Sequence, residues 1–143
     1  MTARLVALGD DGITTALGAS AAQIGTAYLF CPEANVSPLH RAALRAARDG
    51  DTALTNVFTG RPARGVLNRV MREVGPLSAD APAFPLAGGA LAPLKAAAEA
   101  KGSSDFTSLW SGQSAALGRE IPAGELTRQF ASETMRRLGS LSG

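Results

Sequence analysis

One apolar segment constrains this 143-residue chain more than any other feature: residues 21–30, AAQIGTAYLF. The whole segment is typical of a buried strand, and residues 20–24 predict a short strand of the kind that is buried on both faces, leading through a Gly-Thr pair into further apolar residues. Such a strand needs neighbours on both sides, because its backbone N–H and C=O groups must be hydrogen-bonded. The rest of the sequence predicts no second strand of this type, so we expect that the chain cannot complete a parallel sheet by itself.

The other segments predict helices separated by loops. Ser37 followed by Pro38 is typical of a helix start, since serine caps the first turn and proline suits its first position. The β-branched, alternating residues 52–58 predict a strand or extended arm, 59–65 a turn, and 76–88 a long linker or wrapping loop. The predicted helices cover residues 2–17, 38–48, 66–75, 89–102, 104–120 and 122–139.

Charge and cysteine content exclude several classes of protein. The net charge is +2, and the basic residues are scattered, which argues against a nucleic-acid-binding surface. Cys31 is the single cysteine, so an internal disulfide is excluded and a reducing compartment is favoured. No apolar run has the length of a membrane span. We therefore expect a cytoplasmic protein that binds neither nucleic acid nor membrane.

The Gln-Ile-Gly-Thr sequence at residues 23–26 is the candidate binding site. Ligands of α/β proteins lie at the ends of strands, and a glycine there lets a phosphate approach backbone N–H groups without a side chain in the way. A threonine hydroxyl can also donate to phosphate oxygens. The alternative is a strand that simply bends at Gly25. Gln23, within an apolar run, needs a hydrogen-bond partner, and a ligand is one of several possibilities.

Three sequence blocks, at residues 17–44, 58–69 and 109–130, resemble the C-terminal part of the nitronate monooxygenase family, formerly called 2-nitropropane dioxygenases. The blocks are LGASAAQIGTAYLFCPEANVSPLHRAAL, FTGRPARGVLNR and LWSGQSAALGREIPAGELTRQF, and their order and spacing agree with the family. The resemblance implies an enzyme that uses flavin mononucleotide (FMN) on a TIM (β/α)8 barrel and oxidises alkyl nitronates with O2. The chain would then be an oxidoreductase acting on a small molecule.

The resemblance also implies which residues bind the cofactor. Gln23, Ile24, Gly25 and Thr26 match the eighth barrel strand and its loop, which hold the FMN phosphate in the family. A TIM barrel needs about 250 residues, so the expected fold is α/β, a C-terminal barrel fragment with the last strand and helix plus a mainly helical C-terminal segment. Residues 1–50 would be the last βα portion, and residues 51–143 the extended arm, Pro-rich linker and helical segment.

A fragment of this kind would lack part of the enzyme's chemistry. The family's catalytic histidine, the proposed base, belongs to the barrel part that this sequence does not match. We therefore expect no catalytic residue in this chain, no metal site, and little activity or FMN retention by the chain alone. Two alternatives stay open: an FMN-dependent enoyl reductase of the same superfamily, and a non-catalytic helical interaction module. The FTGRPARG sequence favours the nitronate enzymes.

Five further side chains have chemistry worth weighing. His40 is the single histidine, but it lies in a first helical turn and is expected to be a surface or packing residue. Cys31 is expected to be a buried structural thiol, because no histidine is placed to activate it. Arg61 and Arg64 could meet an anion, although surface arginines that brace a turn are the more common case. Trp110 is expected to be a packing anchor.

Overall fold

The computed structural model describes residues 23–141 of the chain. The predicted helix over 2–17 and most of the predicted strand over 20–24 lie outside the described residues. The described part is α/β, and among its helices none combines the length and apolar character that crossing a bilayer requires. Its elements are α1 (Thr26–Leu29), α2 (Pro38–Ala46), β1 (Thr52–Thr55), β2 (Ala63–Val66), α3 (Arg69–Glu73), α4 (Ala87–Glu99), a 3-10 turn (Ala115–Leu117) and α5 (Ala123–Leu141).

The chain divides into two compact units. The continuous unit is Val36–Ala116, and the discontinuous unit combines the described residues up to Asn35 with those from Leu117 onward. Each unit is described by itself below. The division predicted from sequence, at residues 50 and 51, refers to the architecture of a whole barrel enzyme, and it stays a prediction.

A small antiparallel sheet lies in the continuous unit. Strands β1 and β2 pair with Thr52 opposite Val66, at the start of β1. Residues 109–111 run along the other edge of β2, where the Val66 N–H donates to the Leu109 carbonyl (2.8 Å) and the Ser111 N–H donates to the Arg64 carbonyl (3.1 Å). The β2 backbone is therefore hydrogen-bonded on both sides.

Side-chain caps start two helices of this unit. The Ser37 hydroxyl accepts a hydrogen bond from the His40 N–H (3.3 Å), and Pro38 occupies the first position of α2. The helix start predicted from this pair is confirmed. The Asn68 side-chain oxygen accepts from the Met71 N–H and caps α3 in the same manner.

Two apolar clusters form the core of the continuous unit. Both include residues of the sheet or its connections, so the hairpin is the scaffold on which the helices pack. One cluster consists of Ala47, Val66, Leu109 and Ala115, with Ala43 packed against it. The other consists of Val57, Phe58, Val70 and Met71, with Ala53, Leu67, Leu91, Phe106 and Trp110 packed against it.

The discontinuous unit is built around α1 and α5. Residues of α1 and the following turn pack on one face of α5, although about a hundred residues of sequence separate them. The cluster consists of the buried Ala27, Cys31 and Leu126, with Ile24, Tyr28, Ile121, Ala123 and Phe130 packed against it. Helix α5 was predicted over 122–139 and is observed as Ala123–Leu141, so that prediction is confirmed.

Two of the predictions made for short segments, residues 26–29 and residues 59–65, are wrong. Residues Thr26–Leu29 form a short helix, not the continuation of a strand, because the Tyr28 N–H bonds back to the Gly25 carbonyl (3.0 Å) and turns the chain. The predicted turn over 59–65 is shorter than expected, since Ala63–Val66 is strand β2. Gly65 suits this strand, because a Cβ there would lie 2.9 Å from the Leu109 carbonyl oxygen.

The helix predicted over 104–120 is also absent; this stretch holds only the 3-10 turn Ala115–Leu117. Its carbonyls have other partners: the Asn68 side-chain amide donates to those of Ser104 (3.1 Å) and Thr107 (2.9 Å). Leu109, only 2% exposed, pairs with β2. Tertiary partners thus replaced the helical hydrogen bonds that the local sequence favoured.

Candidate functional site

The Gly25 turn, defined as residues 23–26, is the candidate site. Residues 23–25 have no regular secondary structure, and Gln23 and Gly25 are exposed. The Gly25 backbone has φ −118° and ψ −65°, and a Cβ placed there would meet no atom of residues 23–141 within 4 Å. No side chain at Gly25 would therefore stand between an anion and the backbone N–H.

The other two residues of the turn are turned into the protein. Thr26 is 7% exposed, and Ile24 packs against the apolar cluster of the discontinuous unit. Because the Thr26 residue is buried, its hydroxyl is less accessible than the sequence predicted. The donor set that remains consists of backbone amides and the exposed Gln23 amide, which is a set suited to phosphate oxygens.

Contacts from α5 support this turn. The Tyr28 hydroxyl and Thr127 Oγ1 are hydrogen-bonded at 2.8 Å, and the Tyr28 ring meets the Phe130 ring edge-on, with centroids 6.5 Å apart. The Glu33 carboxylate accepts from the Ala123 N–H at 3.0 and 3.2 Å. The segment that directly follows the turn is thus bonded to residues about a hundred positions further along the chain.

Cys31 and His40 have structural partners. Cys31 is 1% exposed, and its thiol contacts the Ala27 carbonyl at 4.0 Å, as expected of a buried thiol. His40 Nε2 is hydrogen-bonded to the Trp110 carbonyl (2.9 Å) within the continuous unit. The Trp110 ring packs edge-on against Phe58 with centroids 5.7 Å apart, so the predicted packing role of Trp110 is confirmed.

The two arginines of the 59–65 segment are also engaged with protein groups. The Arg61 guanidinium lies 4.2 Å from the centre of the Phe84 ring. Arg64 Nη1 donates to the Thr52 carbonyl (3.1 Å) and hydroxyl (3.2 Å) across the hairpin. These contacts fit the expectation that the arginines brace the turn and strand rather than form an anion site.

The described residues hold no group of three or more His, Cys, Asp or Glu placed to bind a metal ion. Two of the described side chains have a pKa that departs from its ordinary value, and both belong to surface ion pairs. Hydrogen bonding to Glu73 raises the pKa of Arg69, and hydrogen bonding to Arg136 lowers the pKa of Glu133. Both pairs are solvent-exposed. They have the character of surface ion pairs rather than of a general acid or base.

Sequence reasoning missed two polar residues that organise the structure. Asn68 is 5% exposed, caps α3 and donates to two carbonyls, and its position just before a helical segment is a signal that could have identified the cap. Glu33 binds the first turn of a helix 90 residues away. No pattern of neighbouring residues predicts this contact between Glu33 and Ala123.

Comparison with known proteins places the chain among one group of enzymes. The sequence model of the family described as "Nitronate monooxygenase" matches residues 9–133. Nitronate monooxygenase of Pseudomonas aeruginosa is 44% identical over 118 residues, covering 82% of this chain and 34% of that protein. Nitronate monooxygenase of Paraburkholderia phytofirmans is 38% identical over 127 residues, covering 88% of this chain and 35% of that protein.

Two solved structures are also similar to the chain. Nitroalkane oxidase from Streptomyces ansochromogenes has a TM-score of 0.78 and 38% identity, covering 91% of this chain and 37% of that one. FabK from Thermotoga maritima has a TM-score of 0.66 and 26% identity, covering 95% of this chain and 44% of that one. The chain thus spans about a third of the length of the curated relatives that it matches.

Proposed function

The chain belongs to the nitronate monooxygenase family, and from that premise we propose that it is the C-terminal part of an FMN-dependent enzyme that oxidises alkyl nitronates with O2. The observation that carries the proposal is the family match over residues 9–133, which includes the Gly25 turn. The names of these relatives favour this activity over the enoyl reductase alternative.

The Gly25 turn fits the phosphate group of FMN. Gly25 is exposed and has no side chain, and a Cβ there would meet no atom of the described part of the chain within 4 Å, so its backbone can approach phosphate oxygens closely. We propose that the Gly25 amide donates to the phosphate, with the exposed Gln23 amide beside it and Thr26 forming the buried side of the turn. Ile24, half-buried, anchors the turn to the apolar cluster beneath it.

The chemistry would be divided between this chain and the rest of a barrel. When bound, FMN would supply the redox capacity for oxidation of the nitronate. This chain would bind and orient the phosphate end of the cofactor. It would supply no catalytic base, since His40 is hydrogen-bonded to the Trp110 carbonyl in a structural role. We therefore propose that the chain alone is a truncated form with little or no activity.

Flavin titration tests the cofactor site. We expect the 143-residue chain to bind FMN with an affinity weaker than micromolar, yet more tightly than riboflavin, which lacks the phosphate. Gly25→Leu should reduce FMN affinity by about tenfold and leave riboflavin affinity unchanged, because one well-placed charge-assisted contact has about that value. Flavin fluorescence quenching measures both affinities.

Gly89→Leu is the matched control, because Gly89 also borders open space but lies in α4. It should leave both flavin affinities unchanged. Equal affinities of the unchanged chain for FMN and riboflavin would contradict the phosphate site. Submicromolar FMN binding would contradict the proposal that a large part of the cofactor site is missing.

Activity and assembly discriminate the alternatives. Oxygen uptake with an alkyl nitronate should be negligible for the chain with FMN and should appear when a barrel part from a relative is added back. Reading the coding sequence directly upstream of Met1 would show whether a barrel is encoded there. A stable, colourless monomer in gel filtration that restores no activity would instead support the interaction module.

A further inference from the structure

Helix α5 is hydrogen-bonded to the segment that directly follows the Gly25 turn. We infer that Tyr28 and Glu33 are positioning residues for the cofactor phosphate, acting through hydrogen bonds to Thr127 and Ala123 of α5. The inference rests on the proposed function, because it takes the Gly25 turn to be the phosphate site. It adds that phosphate binding depends on a helix about a hundred residues further along the chain.

The turn cannot hold its own conformation. The helix that follows Gly25 has only four residues, Thr26–Leu29. Isolated helices shorter than about 12 residues are marginal in water, because nucleation costs more than a single turn recovers. No side chain at Gly25 caps this helix either. Its place must therefore be set by tertiary contacts.

Apolar contacts supply the first part of that support. Ala123, Leu126 and Phe130 recur at a spacing of three to four residues, which places them on one face of α5. Leu126 is 1% exposed and packs in one cluster with Ala27 and Cys31. This packing brings α1 to α5 but is not directional, so it does not by itself fix rotation or sliding of the short helix.

Hydrogen bonds supply the directional part. Thr127 Oγ1 donates to the Ala123 carbonyl (2.8 Å), which uses its one proton, so the Tyr28 hydroxyl is the donor in the 2.8 Å bond to Thr127. Glu33 accepts from the Ala123 N–H, one of the first-turn donors that a helix leaves without an internal partner. Its negative charge also complements the positive end of the α5 dipole.

A close contact completes the arrangement. Phe30, between the two hydrogen-bonding residues, is 4% exposed. Its ring lies so near Gly118 that a Cβ there would come within 2.1 Å of a ring atom. Contacts at residues 28, 30 and 33 therefore locate the chain directly after the Gly25 turn.

This arrangement predicts an effect specific to the phosphate. If the contacts of Tyr28 and Glu33 are lost, α1 can shift along the apolar residues of α5 that it packs against, and the amides of the Gly25 turn move with it. Hydrogen bonds weaken steeply with distance and angle, so phosphate binding declines. Binding of riboflavin, which has no phosphate, should not change. A merely structural role would affect both flavins alike.

The test uses the 143-residue chain with the double substitution Tyr28→Phe and Glu33→Ala. The FMN affinity, measured by fluorescence quenching, should fall about tenfold while the riboflavin affinity is unchanged, the loss expected for one charge-assisted contact. Glu133→Ala is the control. Like Glu33→Ala it removes a carboxylate that accepts hydrogen bonds from α5, but the donors are Arg136 and Arg137, not the first turn of the helix. It should leave both affinities unchanged.

Hydrogen exchange gives a second readout without flavin. The hydrogen-bonded amides of Tyr28, Phe30 and Cys31 should exchange about tenfold faster in the double variant, as local opening becomes easier, while those of β1 and β2 keep their protection. A preference for FMN that persists in the variant, or unchanged exchange at these three amides, overturns this inference alone. Equal affinities of the unchanged chain for FMN and riboflavin overturn the proposed phosphate site as well.

The double variant could lose hydrogen-exchange protection throughout the described residues, which would indicate that it does not fold. In that case the single substitution Tyr28→Phe tests the positioning role. It removes one hydroxyl and keeps the ring that packs on Phe130. A smaller reduction in FMN affinity, with no change for riboflavin, supports the positioning role. Equal reductions for the two flavins overturn it.

Discussion

The continuous and the discontinuous unit are stabilised by different kinds of contact. In the continuous unit, amide side chains join separate backbone segments: the buried Asn68 binds Ser104 and Thr107, and the half-buried Asn56 exchanges two hydrogen bonds of 2.9 Å with Ser78. These contacts replace secondary structure where the chain is irregular. Irregular segments of this unit are therefore held by side-chain hydrogen bonds as well as by packing.

The discontinuous unit depends instead on the face of one helix. Its cluster is centred on Leu126, and its long-range hydrogen bonds, from Tyr28 and Glu33, are solvent-exposed. Exposed polar contacts contribute less to stability than buried ones, because water competes for them. The continuous unit is therefore held by many hydrogen bonds within its own sequence range. The geometry of the discontinuous unit depends on a few contacts between residues distant in sequence.

Spectroscopy can follow the two units separately. The chain has one tryptophan, Trp110, which lies in the continuous unit, and one tyrosine, Tyr28, which lies in the discontinuous unit. Urea unfolding followed by Trp110 and Tyr28 fluorescence therefore reports each unit by its own probe. The four predictions below use this difference.

The largest effect is expected for Gly60→Ala in the continuous unit. Gly60 has φ +81°, and a Cβ there would lie 2.4 to 2.7 Å from backbone atoms of residues 82–84. Strained backbone and overpacking together should lower the free energy of unfolding by about 3 kcal/mol. The Trp110 transition in urea should move to lower concentration.

Gly50→Ala is the control for the backbone contribution. Gly50 has φ +88°, but a Cβ there would meet no atom within 4 Å. Its cost should be about 1 kcal/mol, the value of the left-handed conformation alone. If the two substitutions lowered the free energy of unfolding equally, the close approach of residues 82–84 to Gly60 would add nothing to the cost of the left-handed backbone.

Asn68→Ala should have the next largest effect. The substitution removes the α3 cap and leaves the Ser104 and Thr107 carbonyls without their partner. We expect a loss of about 2 kcal/mol in the Trp110 transition, since a cap is worth about 1 kcal/mol and buried acceptors cost more. Asn35→Ala, at an exposed position, should change stability by less than about 0.5 kcal/mol.

Gly118→Ala sharpens the comparison in the discontinuous unit. The new methyl group would meet the Phe30 ring, which is a side chain and can move more easily than backbone. We expect a loss of about 1 to 2 kcal/mol in the Tyr28 transition. In Gly124→Ala the new methyl group would make an ordinary 3.6 Å contact with the Arg128 side chain in α5, so the substitution should raise stability by about 0.5 kcal/mol.

The smallest effect is expected from acid. Hydrogen bonds to Arg136 and Arg137 lower the pKa of Glu133 below its ordinary value of 4.5. A carboxylate with a lowered pKa stabilises the folded state above the unfolded value, and this contribution is lost as the pH falls through the folded value. Acid unfolding followed by Tyr28 should show a slightly shallower pH dependence in Glu133→Gln. An identical profile would show that the pair contributes nothing to α5.

Helix starts and the long helices were predictable from the sequence. Ser37 and Pro38 mark the start of α2 because a cap and a restricted φ act within one turn. The residues 122–139 predicted as helical correspond to α5 because its apolar spacing extends over several turns. The candidate site itself, residues 23–26, was identified by its similarity to a family, and it stays a prediction.

The short elements were not predictable. Residues 109–111 have a sequence that favours a helix but lie extended, because β2 offers them backbone hydrogen bonds. Thr26–Leu29 form a helix where an apolar strand was expected. A few residues have too small an intrinsic preference to outweigh several tertiary contacts.

The sequence by itself determined the family, the long helices and the place of the glycine at the candidate site. Such features depend on residues that are near neighbours along the chain or on a similarity that spans most of it. Only the tertiary structure decided that Glu33 meets Ala123 and that Tyr28 meets Thr127. Contacts across about a hundred residues form when folding brings the segments together, so no local pattern encodes them.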